Sequence, residues 1–378
     1  MTRKLLPLLL LLASAQAWAT TYAYGGRVTL ATASGGSDLT GYTAGMILSD
    51  ASLKPSGSGG QILHSGTFNG QTVPFDLLLT TTAPTGNTCA VTAGQYWDIK
   101  SWDQTNGIVV VKYGPFTTYS HTSTTTVYFC YGSTDNSYLG GAVGAAYDAN
   151  TAGEWGMSNG SSLITADSSA SGNALDTDIG GGYSLPTAVA GPFGGAASFT
   201  NYGQRRTPSA PANLNITANT TVRMLLQVSS NTTKMTILIW NDSSNYGEFD
   251  VSSAGELFYV RYAPYVVTGS TTLSTGTWYY VSGTISSSGT VVYLNGVSDG
   301  TQSATGGISS YTGRVYFCGG QSNTVIISEV AIDSTNRTAG WLATAAANLL
   351  TPATFAAVSN IGALSGGAAT VTMTPIIM

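Results

Sequence analysis

Short β-type runs separated by turn residues are the feature that most restricts how this chain can fold. They recur about every 8 to 12 residues, a spacing typical of sandwiches and barrels. In a clear example, residues 108–113 (IVVVKY) follow an Asn106-Gly107 turn and end at Gly114-Pro115. We therefore predict an all-β protein with two β-sandwich domains of the jelly-roll type.

Two hairpins and one helix are predicted from local signals. Asn295-Gly296 follows the run 291–294 and favours a tight hairpin turn, and residues 252–255 separate two further strands. Residues 337–349 predict a short helix with Trp341, Ala345 and Leu349 on one face, Thr338 as its cap and Pro352 as its stop; an irregular loop is the alternative. An alternating strand is also predicted from Trp278 onward, with Tyr279, Val281 and Ile285 on one side.

The first 19 residues have the order of a secretory signal peptide. Arg3 and Lys4 precede an apolar run at residues 5–13, and small residues follow at Ala17 and Ala19. A buried N-terminal strand is the alternative. We therefore expect an exported protein, secreted or at the cell surface.

Length and composition suggest two domains. We predict domains at residues 20–165 and 183–360, joined by the Gly/Ser/Asp-rich linker 166–182 and followed by a tail at 361–378. Only 8% of residues are charged, and the net charge is −5, without a basic stripe. Nucleic acid and anionic membranes are therefore poor candidate partners.

Two segments resemble known families. Residues 183–358 resemble a laminin-G-like domain of the concanavalin A-like lectin/glucanase superfamily, on the stretches ASF (197–199), GTWYYV (276–281), VYLNGV (292–297) and ISEVAI (327–332) and on Trp341. Residues 40–160 resemble, more loosely, a secreted bacterial domain of unknown function, on TVYFCYG (126–132) and AGEW (152–155). These resemblances imply a fold more firmly than a function.

The tetrapeptide VYFC occurs twice, and each copy is interpreted as the end of a core strand. The flanks of Cys130 and Cys318 differ, so a duplication is not indicated, and no CxxC or Cys/His cluster suggests a metal. Each cysteine is then a small buried hydrophobic residue. A Cys89–Cys130 disulfide is an alternative in an exported protein, and it would leave Cys318 as a buried free thiol.

Catalysis is disfavoured because the acidic pairs lack a partner. Glu248 and Asp250 share a strand face, as in the glucanase motif, but the second Glu of that motif is missing. Glu329 and Asp333 also share a face, and a solvated strand face is the favoured interpretation of both pairs. Ser158 lies in a Gly-x-Ser-x-Gly pattern without a following helix, so a Gly-rich turn is preferred to a nucleophile.

Binding is the favoured function, with aromatic and amide side chains near turns as candidates for sugar recognition. The candidate residues are Trp240, Asn241, Asp242, Tyr246, Tyr262 and Tyr265, and packing of these aromatics in the core is the alternative. Calcium is possible, with Asp242 and Asp250 as weak ligands, and no other cofactor is expected.

The sequence thus predicts a secreted, non-catalytic protein that binds a glycan or a cell-surface partner. A structural or adhesive surface protein without sugar binding is the alternative, and a glycoside hydrolase is a more distant one. The segment 370–374 (TVTMT) alternates polar and apolar residues, so the tail could add to a sheet edge of its own chain or support self-association.

Overall fold

The computed structural model describes residues 19–364, except 177–183, 201–203, 216–218, 231–233, 242–245, 262–264, 304–312 and 319–322. At residues 19, 239–241, 246, 258–261, 265–266 and 318 it describes the backbone only.

Strands dominate the described part of the chain. The first ten are β1 (Ala19–Thr21), β2 (Tyr24–Leu30), β3 (Tyr42–Ser49), β4 (Ser65–Phe68), β5 (Gln71–Pro74), β6 (Leu78–Thr80), β7 (Thr88–Ala90), β8 (Tyr96–Asp103), β9 (Ile108–Phe116) and β10 (Thr125–Tyr131). The next eight are β11 (Thr151–Gly156), β12 (Thr187–Val189), β13 (Ala196–Phe199), β14 (Gln204–Arg206), β15 (Thr220–Val228), β16 (Met235–Asn241), β17 (Tyr246–Val251) and β18 (Glu256–Arg261). The last elements are β19 (Tyr265–Thr272), β20 (Trp278–Ser286), β21 (Gly289–Leu294), β22 (Val297–Ser303), β23 (Arg314–Cys318), β24 (Val325–Asp333), the helices α1 (Ala339–Leu350) and α2 (Pro352–Phe355), and β25 (Ala356–Ala363).

The first sandwich packs the sheet β25-β2-β10-β6 against the sheet β3-β9-β8. Alternate residues of β9, Val109 and Val111, enter its core. β9 runs to Phe116, past the Gly114-Pro115 pair at which the sequence predicted its end. Both sheets pair antiparallel throughout.

A disulfide joins Cys89 on β7 to Cys130 on β10, and both cysteines are fully buried. The Cys89–Cys130 disulfide, which the sequence left open as an alternative, is therefore present in the structure. Cys318 lies on β23 with its backbone paired to Gln204, but its side chain is outside the description, so its buried thiol stays a prediction.

The second sandwich packs an eight-stranded sheet against a six-stranded one. The larger sheet has the order β12-β13-β24-β15-β20-β21-β22, and β11 also pairs with β24. The smaller has the order β14-β23-β16-β17-β18-β19. Val281 and Ile285 of β20 enter the core between them, whereas Tyr280 points to the core of the first sandwich. The predicted all-β fold with two sandwiches is confirmed.

The predicted turns and helix are present. Asn295 and Gly296 both have positive φ, at 51° and 80°, between β21 and β22, and Gly255 (φ 87°) closes the turn between β17 and β18. Thr338 caps α1 by accepting from the Trp341 N–H. The helix packs between the two sandwiches, with Trp341 and Leu349 buried in the first core.

Strand pairing crosses the predicted domain boundaries. β11 lies before the predicted linker, yet it extends the sheet of the second sandwich through β24. β25 follows the second sandwich, yet it pairs with β2 at the edge of the first. Residues 361–363 of the predicted tail lie in β25, whereas the segment 370–374 is outside the described residues. The C-terminal strand therefore belongs to the N-terminal sandwich.

Among the residues that the structure describes, no helix is long and apolar enough to span a bilayer.

Candidate functional site

Strand register brings the predicted sugar-binding segments to one end of the six-stranded sheet. Asn241 pairs with Tyr246 where β16 turns into β17, and Arg261 pairs with Tyr265 where β18 turns into β19. Gly247 pairs with Arg261, so the strand ends that flank the two connections are neighbours. The two segments converge although about 20 residues of chain separate them.

The same register places the described candidates in two adjacent rows of the sheet. Trp240 lies in one row with Gly247, Arg261 and Tyr265. Asn241 and Tyr246 form the neighbouring row. Asp242 and Tyr262 lie outside the described residues. The sugar-binding role of these six residues stays a prediction.

The acids Glu248 and Asp250 are held by a lysine on the outer face of the six-stranded sheet. Lys234 Nζ lies 2.6 Å from Glu248 Oε2 and 3.1 Å from Asp250 Oδ2. Asp250 is fully buried. Burial and the Glu248 carboxylate raise the pKa of Asp250 above its usual value. The prediction that this pair forms a solvated face is wrong for Asp250, which is covered and paired.

The prediction of a solvated face is also wrong for Glu329 and Asp333. Both are buried on the outer face of the eight-stranded sheet. That face does not meet solvent, because the first sandwich and α1 pack on it, as the inclusion of Leu225 and Tyr280 in the first core shows. Polar alternation on a strand therefore marks here an interface between sandwiches.

A buried ionic cluster fills this interface. Lys112 Nζ on β9 lies 2.6 Å from Glu329 Oε1 and 3.5 Å from Glu154 Oε1. Arg223 on β15 lies beside the same acids, with Nη2 3.3 Å from Glu154 Oε2 and Nη1 3.9 Å from Glu329 Oε1. Because Lys112 belongs to the first sandwich and Glu329 to the second, the cluster ties the two sandwiches together.

The cluster continues toward the start of α1. Arg223 Nε lies 2.8 Å from Asp333 Oδ2, and Arg337 Nη2 lies 2.8 Å from Asp333 Oδ1. Arg337 also donates to both carboxylate oxygens of Asp148, at 2.6 and 2.8 Å. On the side of the first sandwich, Lys100 Nζ lies 3.2 Å from Asp98 Oδ2. Buried charges are stable only when paired in this way.

The acids of the cluster differ in their pKa values. Burial opposes the ionisation of Glu329, but Lys112, Lys100 and Arg223 outweigh it and hold its pKa below the usual value. Burial and the neighbouring Glu329 carboxylate raise the pKa of Glu154. The pKa values of the two glutamates are therefore shifted in opposite directions from the ordinary value, down for Glu329 and up for Glu154.

Ser158 is part of a turn. It is buried, and its Oγ accepts from the Gly160 N–H at 2.8 Å. The Gly-rich turn interpretation agrees with this geometry.

A cleft of about 780 Å³ lies beside the cluster, between the two sandwiches. Its floor is the outer face of the sheet β3-β9-β8, where Ile47, Val110 and Ser101 form one register row and Ile108 lies two residues before Val110 on β9. Trp102 lines it as well, but its ring is buried and its Nε1–H donates to the Leu53 carbonyl at 2.9 Å. The floor is thus mainly aliphatic.

Two loops that flank strands of the second sandwich form the opposite wall. Ala190, Gly191, Pro192 and Gly194 come from one loop, and Asn159, Gly160 and Ser161 from the other. The loops pack backbone against backbone, since a Cβ on Gly195 would collide with the Gly160 nitrogen. Phe193 anchors this wall to the floor: it is buried, and its ring lies 5.5 Å from Lys112 Nζ.

The rim of the cleft carries uncharged polar groups. Gln71, Thr72 and Gln104 belong to the first sandwich, and Asn159 and Ser161 follow β11 of the second sandwich. Asp103 is the one charged residue among the described residues that line it. Sequence reasoning missed this site because its lining comes from separate segments, each of which has an ordinary turn or strand pattern.

No group of three or more His, Cys, Asp or Glu side chains suited to a metal occurs within the described ranges. Asp250 forms an ion pair with Lys234, and Asp242 lies outside the described residues. Calcium binding by these two residues therefore remains a prediction from sequence.

Residues 199–343 match a laminin G family model described as "Concanavalin A-like lectin/glucanases superfamily". The match covers most of the second sandwich and confirms the resemblance there. The matched segment is therefore similar to this superfamily over those residues. No curated protein matched the chain.

Several solved structures are similar to part of the chain. The binding domain of Paraclostridial Mosquitocidal Protein 1 has 11% identity and a TM-score of 0.45, covering 52% of each chain. The ligand binding domain of Botulinum neurotoxin serotype D, in complex with N-acetylneuraminic acid, has 14% identity and a TM-score of 0.40, covering 52% of this chain and 50% of that one. Domain 4 of AbnA, an extracellular arabinanase from Geobacillus stearothermophilus in complex with arabinotriose, has 16% identity and a TM-score of 0.42, covering 52% and 98%.

The chain thus spans about half the length of the first two of these structures. Since every TM-score is below 0.5, these likenesses support no conclusion about function.

Proposed function

We propose that this is an exported, non-catalytic protein that recognises glycans on a surface. The observation that carries the proposal is the superfamily match of residues 199–343, in a sandwich whose paired acids are already engaged by cations. The superfamily name covers both lectins, which bind sugars, and glucanases, which hydrolyse them. Whether the paired acids are accessible to a substrate distinguishes binding from hydrolysis.

Hydrolysis needs one carboxyl group as acid and a second as nucleophile or base, both facing substrate. Asp250 is fully buried beneath Lys234, and Glu329 and Asp333 are closed inside the interface. None of these three carboxyl groups is accessible to a sugar. This arrangement supports binding without turnover.

The test uses the intact chain on a glycan array, because β25 and α1 make the first sandwich depend on the C-terminal residues. We expect retention of a subset of glycans and no release of reducing ends from them. Release that disappears in Glu248→Gln would show a hydrolase instead. Absence of any bound glycan would favour the structural or adhesive alternative and overturn the proposal.

A further inference from the structure

We propose that the cleft between the two sandwiches is a binding site for an uncharged oligosaccharide. This inference rests on the proposed function and assigns it a site that is separate from the predicted turns at the end of the six-stranded sheet. The cleft volume of about 780 Å³ lies within the range of roughly 300–1,000 Å³ that small-molecule sites have.

The floor of the cleft suits the C–H face of a sugar ring. Ile47 and Ile108 are partly exposed to the cleft and lie on adjacent strands; Val110, the register partner of Ile47, lies two residues after Ile108. Partly exposed aliphatic groups in a concave site gain free energy when a ligand removes them from water. A sugar ring offers such an apolar face on one side and hydroxyl groups at its edge.

The rim of the cleft suits those hydroxyl groups. Gln71 and Gln104 lie on the first sandwich, and neither side chain hydrogen-bonds to another residue in the described part of the chain. Each side-chain amide offers two N–H donors and a carbonyl acceptor, and a hydroxyl group can use either kind. Asn159 adds an Nδ2 amide from the opposite wall, while its Oδ1 is occupied by the N–H groups of Ser161 and Ser162.

The charge of the lining selects against acidic ligands. No lysine or arginine occurs among the described residues that line the cleft, so a carboxylate or sulfate would find no cation there. Asp103 adds a negative charge, although its oxygens already accept from Thr105 and Asn106 at the turn after β8. An uncharged saccharide matches this lining better than an anionic one.

The cleft exists only when both halves are docked. Floor and wall come from different sandwiches, and buried Phe193 fixes their separation by packing against the face that carries Gly45 and Lys112. The wall is rigid as well, because Gly160 and Gly195 meet backbone to backbone. A preformed site of this kind loses little conformational entropy on binding.

The experiment measures binding of the intact chain by isothermal titration. The probes are neutral gluco- and galacto-oligosaccharides together with their uronate counterparts. The cleft variants are Gln71→Ala/Gln104→Ala, which removes two amides, and Ala190→Trp, which narrows the cleft from an exposed position. Gln302→Ala on the exposed strand β22 is the matched control for amide removal, and Tyr265→Ala tests the end of the six-stranded sheet.

We expect neutral probes to bind and uronates to bind at least tenfold more weakly. The double amide variant should lose about tenfold or more in affinity, which corresponds to about 1.4 kcal/mol, because two hydrogen-bonding amides are removed from the rim. Ala190→Trp should lose more, and Gln302→Ala nothing. Equal melting temperatures confirm that each variant is folded.

Three outcomes would overturn the inference. If neutral probes bind but the cleft variants match the wild type, the cleft is not the site, while glycan binding itself stands. If uronates bind as tightly as neutral probes, the ligand class is wrong. If the intact chain binds none of the probes and no glycan on the array, both this inference and the proposed function fail.

Discussion

The sheet β3-β9-β8 uses the two ends of its outer face in different ways. Around Gly45 and Lys112 the C-terminal half closes it. Phe193 packs there, and Asn348 of α1 brackets Gly45, accepting from its N–H at 2.6 Å and donating to its carbonyl at 2.7 Å. Lys112 pairs with buried Glu329. This end is sealed by hydrogen bonds and charges.

Two residues further along the strands, the same face borders the cleft. Ile47 and Ile108 are partly exposed there, next to polar groups that remain accessible. The docked end thus combines hydrogen bonds and ion pairs with the apolar packing of Phe193 and α1, whereas Ile47 and Ile108 stay partly uncovered. Apolar groups that stay exposed in a concave, preformed site are typical of a ligand site. The contacts around Gly45 and Lys112 hold the floor and the wall of the cleft at a fixed separation.

The largest expected effect comes from breaking the sealed end with Lys112→Met. This substitution leaves Glu329 and Glu154 buried without their nearest shared ammonium group. Removing one partner of a buried ion pair costs about 3–5 kcal/mol. Urea denaturation followed by tryptophan fluorescence should show this loss in the free energy of unfolding.

The same experiment tests the coupling of the two halves. If the ionic cluster holds them together, the unfolding of Lys112→Met should separate into two transitions, or its affinity for any cleft ligand should fall. A loss of stability below about 1 kcal/mol with one sharp transition would show that the apolar contacts of α1 are sufficient for docking.

Features set by local sequence could be predicted. The Asn295-Gly296 turn needs two positive φ angles, which this pair adopts readily. The Thr338 side-chain oxygen caps α1 by accepting a hydrogen bond from the Trp341 N–H, only three residues later in the sequence. The alternation of apolar residues identified the strands for the same reason. Each of these signals is complete within a few residues, so the sequence shows it directly.

Features that join distant segments could not be predicted. Glu329 meets Lys112 across 217 positions, and the polar alternation of β24 is the same whether its outer face meets water or another charged sheet. The pairing of β25 with β2 has no local signal either, and the cleft is built from several separate segments. The predicted linker and domain boundaries were based on composition, which could not reveal that the C-terminal strand β25 pairs with the N-terminal sandwich.

A smaller effect, whose size changes with pH in opposite directions for the two residues, should distinguish Glu329 from Glu154. Folding lowers the pKa of Glu329, so its contribution to stability is present above the pKa of unfolded glutamic acid and is lost as the pH falls through the lower folded-state value. Folding raises the pKa of Glu154, so its contribution is full below the unfolded-state pKa and is lost as the pH rises through the raised value.

The matched variants Glu329→Gln and Glu154→Gln keep the shape and remove the titration. Glu329→Gln should cost most stability near neutral pH and least in acid, whereas Glu154→Gln should cost most in acid and progressively less as the pH rises. Urea denaturation from about pH 4 to pH 8 measures both profiles. Parallel profiles for the two variants would contradict the assignment of opposite pKa shifts.

The smallest expected effect is on the outer face of the six-stranded sheet, where Lys234 pairs with Glu248 and Asp250. Here the cation is nearly half exposed, at 46% of its side chain, so water screens the pair, unlike the pairs of the sealed interface. Asp250 also has a raised pKa and can take up a proton if its partner is lost. Lys234→Met should therefore lower the free energy of unfolding by about 1 kcal/mol or less, as measured by the same urea denaturation used for Lys112→Met. A loss as large as that of Lys112→Met would mean that burial of the acid, and not closure of an interface, decides the cost of removing a lysine.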